Sequence, residues 1–191
     1  MTAHGRSGAT KSARRSSEAL KNSVVYFQQA PGILITPETE MYPDKLNKII
    51  DLFESLPEDE RRETLVAYAD NAKKQEPRDG ETFVLTDVRK DEECADTVGV
   101  FLQVDGDGKS HIRMTLGPEV QTLTRAMTAI SCKGLDGCTA REILDLPSDF
   151  VTRIVGSELV RIRSQTIYYV LTRIKGICKV YLDRQRMAEV A

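Results

Sequence analysis

The stretch "TVGVFLQVDGDGKSHIRMTL" constrains the fold of this chain more than any other. Two runs of strand character flank Asp-Gly-Asp-Gly, a turn in which Gly106 and Gly108 can take the positive φ that a tight hairpin needs. A third such run, "TFVLTDV", precedes them, so three short strands follow one another and predict an antiparallel meander. Helical spacing appears on both sides. Upstream, Leu46, Ile49, Ile50, Phe53 and Leu56 share a face behind Asp44, a candidate N-cap. Pro57 can open a second helix, with Glu58, Asp59 and Glu60 in its first turn and a stripe of Leu65, Tyr68, Ala69 and Ala72. Downstream, Val120, Leu123, Met127 and Ile130 resume the helical period until Gly134 and Gly137 break it. Thr139 and Glu142 have capping-box spacing for a short helix ending at Pro147, and Ser148 can cap another ending at Gly156. Ser164 can cap a long last helix, with Ile167, Val170, Leu171, Ile174, Ile177 and Tyr181 on one face. The expected class is α+β: a small antiparallel β-meander packed by N-terminal helices and a long C-terminal helix.

The 191 residues suit one domain, expected over 44–186, with a basic N-terminal extension over 1–43 and a tail over 187–191. The extension holds Arg6, Lys11, Arg14, Arg15 and Lys21 among small residues, with Glu18 as the acid of its first 23 positions. That composition suits an organelle transit segment and equally a basic tail without a core. Lys and Arg number 27 against 29 Asp and Glu, a net charge of −2, which argues against a general nucleic-acid or membrane-surface binder. No apolar run approaches the ~20 residues that span a bilayer, so a soluble chain is expected.

The polar chemistry narrows quickly. A calcium loop starting at Asp105 would need an oxygen ligand at Lys109, glycine at Ser110 and a carboxylate at Leu116, and it has none of these. Cys132 and Cys138 lack zinc or redox spacing, and Cys178 lies beside the apolar face of the last helix. No metal or cofactor is expected in the chain itself. Cys94 is different. It stands in "DEECAD", among Asp91, Glu92, Glu93 and Asp96, whose charges disfavour the reactive thiolate. His111 should face Leu102 across the hairpin, about eight residues from Cys94 at ~3.3 Å each, out of proton-transfer reach. The same register sets Cys94 opposite about Glu119, near the start of the helix after the sheet.

From Asp44 to Lys179 the order of elements, with "ECADTVGVFLQV", "GPEVQTLTRAMTAI", "GCTAREIL" and "RSQTIYYVL", resembles the SufE family of sulfur acceptors. That resemblance implies that Cys94 takes a persulfide sulfur from a cysteine desulfurase of SufS type. It further implies that the chain stimulates the desulfurase and passes sulfur to iron–sulfur scaffold proteins. On this reading it is a sulfur carrier and activator rather than a stand-alone enzyme. The pyridoxal phosphate would belong to the desulfurase, and neither nucleic acid nor membrane is an expected partner. Arg163 and Gln165 match the family's arginine and its Asn/Gln neighbour before the last helix and, with Glu119, are expected to shape the loop or the docking face. Thr166, where many members have Gly, looks like the plastid branch, which favours the plastid stroma over the cytoplasm.

The chain departs from the family pattern at several places. Glu93 replaces the glycine before the cysteine, and Asp96 the serine two residues after it. Gly117-Pro118-Glu119 stands where "D-S-D" is usual, and Thr124-Arg125-Ala126 where "K-G-L" is usual. The alternative these departures raise is a SufE-like interaction module that docks on a desulfurase or another partner without carrying sulfur.

Overall fold

The hairpin turn is built from one aspartate. In the computed structural model, which describes residues 41–91 and 96–190, Asp105 Oδ1 accepts the N–H groups of Asp107 (3.0 Å) and Lys109 (2.8 Å). The Gly108 N–H closes onto the Asp105 carbonyl at 3.1 Å. Gly108 takes φ 75°, the left-handed position that a β-branched residue would resist. Gly106 does not take positive φ; the Asp105 side chain fixes the turn in place of that second glycine.

From this turn the strands β1 (Leu85–Asp91), β2 (Asp96–Val104) and β3 (Lys109–Leu116) run as the predicted antiparallel meander. A two-residue strand β4 (Cys138–Thr139) adds to the β3 edge beside Lys109 and Ser110, a pairing that local periodicity does not announce. The register puts Val100 opposite Met114 and Leu102 opposite Ile112, all fully or almost fully buried, so alternate residues of β2 and β3 make one apolar face. His111 pairs with Gln103, one place from the expected Leu102.

That face is covered by helices. α1 (Asp44–Ser55) and α2 (Glu58–Asp70) precede the sheet, with a 3₁₀ turn at Ala72–Gln75. α3 (Thr122–Gly134) follows it and is buried on nearly every side from Thr124 to Cys132, save for Arg125, with α1, α2, β3 and the long last helix packed around it. The short helices α4 (Ala140–Asp145) and α5 (Phe150–Val155) lead into α6 (Ser157–Val190). Each large side chain sealed inside, such as Phe53, Phe150 or Ile130, contributes about 1.5–3 kcal/mol relative to exposure.

Local signals place most helix ends, with three adjustments. Asp44 is the first helical residue and Pro43 occupies the N-cap, without a side-chain cap. Asp149, not Ser148, precedes α5. Thr139 and Glu142 form the expected capping box around α4. The long helix begins at Ser157, seven residues before Ser164, and Arg163 interrupts it with φ −133° and ψ 29°, so that Ser164 opens its second segment.

All described residues fall within one compact unit, Ile35–Ala191. The core reaches back to Tyr42, 4% exposed, whose hydroxyl donates to Asp149 at 2.6 Å and whose ring meets Phe150 edge-on. At the other end the helix continues to Val190 through the expected tail, where Met187 and Val190 face solvent. The extension over residues 1–40 lies outside the described residues. No helix among the described residues is long and apolar enough to cross a membrane.

Candidate functional site

Residues 92–95, which include Cys94, join β1 to β2 and lie outside the described residues. Their two attachment points are described: Asp91 and Asp96 face each other as the last pair of the β1–β2 ladder.

Asp96 is the hinge of this end. One carboxylate oxygen accepts its neighbour's N–H from Thr97 (2.6 Å), and the other accepts the N–H of Glu119 (2.9 Å). The Glu119 amide, followed by that of Thr97, holds the Asp96 carboxyl below its usual range, with the positive charges of Lys90 and Arg125 adding to the effect. Gly117 makes the arrangement possible. A Cβ there would come within 2.1 Å of the Asp96 carboxylate, so any side chain would drive the acid out of its seat.

Arg125 holds the same turn from the other side. Its guanidinium donates to the carbonyls of Val120 (2.9 Å), Gly117 (3.0 Å) and Pro118 (2.9 Å). Three substitutions that look unrelated along the chain, Asp96, Gly117 and Arg125, thus form one structure. The aspartate binds amides of the turn, the glycine leaves room for it, and the arginine binds the carbonyls. Glu119 reaches this place through its backbone; its expected pairing opposite Cys94 falls on a residue outside those described.

A residue the periodicity argument passes over supports the other side of the ladder. Arg173 of α6 is 3% exposed. It donates to Asp87 Oδ2 (Nε 3.1 Å, Nη2 2.9 Å), to the carbonyls of Asp87 (3.0 Å) and Val98 (3.3 Å), and to the Tyr169 hydroxyl (2.5 Å). It clips β1 and β2 together a few residues from Asp91 and Asp96. The signal was an arginine inside the apolar stripe of the last helix, between Val170 and Ile177.

Arg163 and Gln165 lie on the surface at the break in α6, and no side-chain hydrogen bond or ion pair joins either to another described residue. A shallow hollow of about 210 Å³ opens between α2, the start of α3 and the first turns of α6, floored by Leu65, Leu123, Ala126 and Leu159. Val66, 49% exposed, also lines it, and Ile162, 58% exposed, follows three residues after Leu159 along α6.

The remaining cysteines are poor nucleophiles. Cys132, Cys138 and Cys178 are buried and unbridged. Burial pushes their thiols up to about 12, about 11 and about 12, so at neutral pH they stay protonated. His111 is committed elsewhere, with Nδ1 2.7 Å from Asp136 and Nε2 3.3 Å from Asp105 at the turn end of the hairpin. Among the described residues no cluster of three or more His, Cys, Asp or Glu side chains is arranged to hold a metal ion.

Comparison with known proteins agrees with this architecture. Residues 47–178 match the family model for SufE, described as an Fe–S metabolism associated domain. A solved structure, the solution structure of a hypothetical protein from Thermus thermophilus, is similar at 25% identity with a TM-score of 0.56, over 75% of this chain and 99% of that one. Among curated proteins none matches the chain. With the matched segment running from α1 into α6, the chain belongs to the SufE family and is associated with iron–sulfur metabolism.

Proposed function

We propose that the protein is a sulfur acceptor that takes a sulfur atom onto Cys94 from a cysteine desulfurase, stimulates that enzyme and delivers the sulfur to iron–sulfur cluster assembly. The observation that carries this reading is one of exclusion. Three of the four cysteines are buried with thiols held protonated, which supports Cys94, in the sequence between β1 and β2, as the acceptor. The family match supplies the iron–sulfur context.

The chemistry is a sulfur–sulfur exchange. The Cys94 thiolate attacks the outer sulfur of the desulfurase persulfide; a new S–S bond forms on Cys94, the old S–S bond breaks, and the desulfurase cysteine leaves as a thiolate. Electrons and charge balance without an external oxidant. The acids around Cys94 keep it quiet between encounters, which limits stray oxidation, and the partner presents the oriented persulfide. The Asp96, Gly117 and Arg125 arrangement would keep the base of the loop in place during the exchange. The apolar hollow by Leu123 and Leu159 would serve as a docking face, with Arg163 and Gln165 following Leu159 along α6. The basic N-terminal extension would direct the chain to the plastid stroma.

Incubation with a cysteine desulfurase and cysteine, followed by intact and peptide mass spectrometry, tests the reading. One added sulfur atom is expected on the peptide carrying Cys94. It should be lost, together with desulfurase stimulation, in Cys94→Ser, and kept in Cys132→Ser, Cys138→Ser and Cys178→Ser. Stimulation at the wild-type level in Cys94→Ser would show a docking module that carries no sulfur. A fluorescent fusion of residues 1–43 that stays in the cytoplasm of plant cells would refute the plastid assignment.

A further inference from the structure

The face formed by α1, α2, the 3₁₀ turn and the end of α3 takes no part in the site above. Its place in the fold separates it from the β1–β2 connection: Lys133 lies at the far end of α3 from Thr122, about 16 Å away at ~1.5 Å per residue. Two adjoining hollows of about 560 Å³ and about 400 Å³ meet there, sharing Tyr68, Gln75 and Lys133.

Its charge is one-sided once internal pairs are removed. Lys45 is bound to the carboxylate (2.5 Å) and carbonyl (2.9 Å) of Asp136, and Arg113 to Glu81 (2.7 Å). Lys48, Lys74 and Lys133 are exposed and form no ion pair with another described residue. The ammonium of Lys133 stands 5.8 Å from the centre of the Tyr68 ring, which itself packs at a tilt against Phe53. Between the cations the floor is apolar: Ile49, the 42% exposed Leu52 and the ring of Tyr68.

We infer that this groove binds an acidic, leucine-bearing segment of a partner protein, laid over Leu52 and Tyr68 with its carboxylates beside Lys48, Lys74 and Lys133. Two features select that occupant. Unpaired cations around an apolar floor match a ligand with both negative charge and aliphatic side chains, and a hydrophilic polyanion would leave the floor unused. The chain's own residues 1–40 carry Arg6, Lys11, Arg14, Arg15 and Lys21 against Glu18, Glu38 and Glu40, and this net positive charge disfavours them as the occupant. The inference stands apart from sulfur transfer, since it uses no residue of the β1–β2 connection.

Fluorescence anisotropy with the full chain tests it. The probe is a labelled peptide of Glu and Asp with leucine at every third position, measured alongside the same peptide with serine for leucine and a single-stranded oligodeoxynucleotide. The leucine peptide should bind, and more weakly as salt is raised. Affinity should fall at least about tenfold in Lys48→Glu/Lys133→Glu and severalfold in Leu52→Ser, with melting midpoints checked to confirm folding. A Cys94→Ser chain should bind as wild type, which separates this test from that of sulfur transfer. Absence of binding, binding unchanged by charge reversal, equal binding of the serine peptide, tighter binding of the oligonucleotide, or self-association of the chain through this face would each overturn the inference.

Discussion

Replacing Arg173 by Met is the most informative perturbation of the support beneath the β1–β2 ladder. The side chain is 2% exposed and its guanidinium joins α6 to two strands through the Asp87 carboxylate, two carbonyls and the Tyr169 hydroxyl. Charge-assisted hydrogen bonds contribute about 1.5–3 kcal/mol each, but they are not additive, and removing the charge also removes its burial cost. Asp87 is 37% exposed, so water can take over part of its solvation once the arginine is gone. Breaking a fully buried pair costs about 3–5 kcal/mol; the access of water to Asp87 places the expected loss at the low end, about 3 kcal/mol. For a chain of this size that lowers Tm by about 6–12 °C. Urea unfolding followed by circular dichroism measures it directly. Arg173→Lys should recover no more than about half, because one ammonium cannot reach the carboxylate, the Val98 carbonyl and the Tyr169 hydroxyl together. A loss below about 0.5 kcal/mol in Arg173→Met would refute the view that this arginine holds the helix to the strands.

Three further outcomes are expected. Thr139→Ala should cost about 1 kcal/mol in the same unfolding assay, because it removes the hydroxyl that accepts the Glu142 N–H at 3.1 Å in the capping box. The His111 pKa is raised above its ordinary 6.5 by its hydrogen bond to Asp136, against the opposing effect of burial and with help from Asp105. Because the folded value is the higher one, the stabilisation is complete below about 6.5 and is lost as pH rises through the folded value. Stability measured against pH should therefore fall in that window and flatten in His111→Gln, and an NMR midpoint for His111 at or below 6.5 would contradict it. Removal of residues 1–40 should change stability by less than about 0.5 kcal/mol, whereas removal of residues 1–43, which takes Tyr42 from Phe150 and Asp149, should cost at least about 2 kcal/mol.

Much of the fold was legible along the chain because its signals are local. Apolar period placed α1, α3 and the second segment of α6. Thr139 with Glu142 marked α4 through a cap that spans three residues, and Asp-Gly-Asp-Gly marked the hairpin and nearly its register. Cys94 could be singled out as a thiol among acids, and the burial of the other three cysteines follows from their apolar neighbours. The support of the candidate site was not legible in the same way. Asp96, Gly117 and Arg125 read separately as departures from a pattern; only the folded chain brings an aspartate, the amide of Glu119 and an arginine onto one turn, across 23 positions in the case of Asp96 and Glu119. Arg173 and Asp87 are 86 positions apart, and nothing local in "YYVLTRIKG" names the partner that makes burial of the charge tolerable. Helix caps and strand alternation depend on neighbours within a few residues, so the amino-acid order alone determines them. A buried ion pair or a glycine that makes room for a distant carboxylate depends on which elements pack together, and only the tertiary structure decides that.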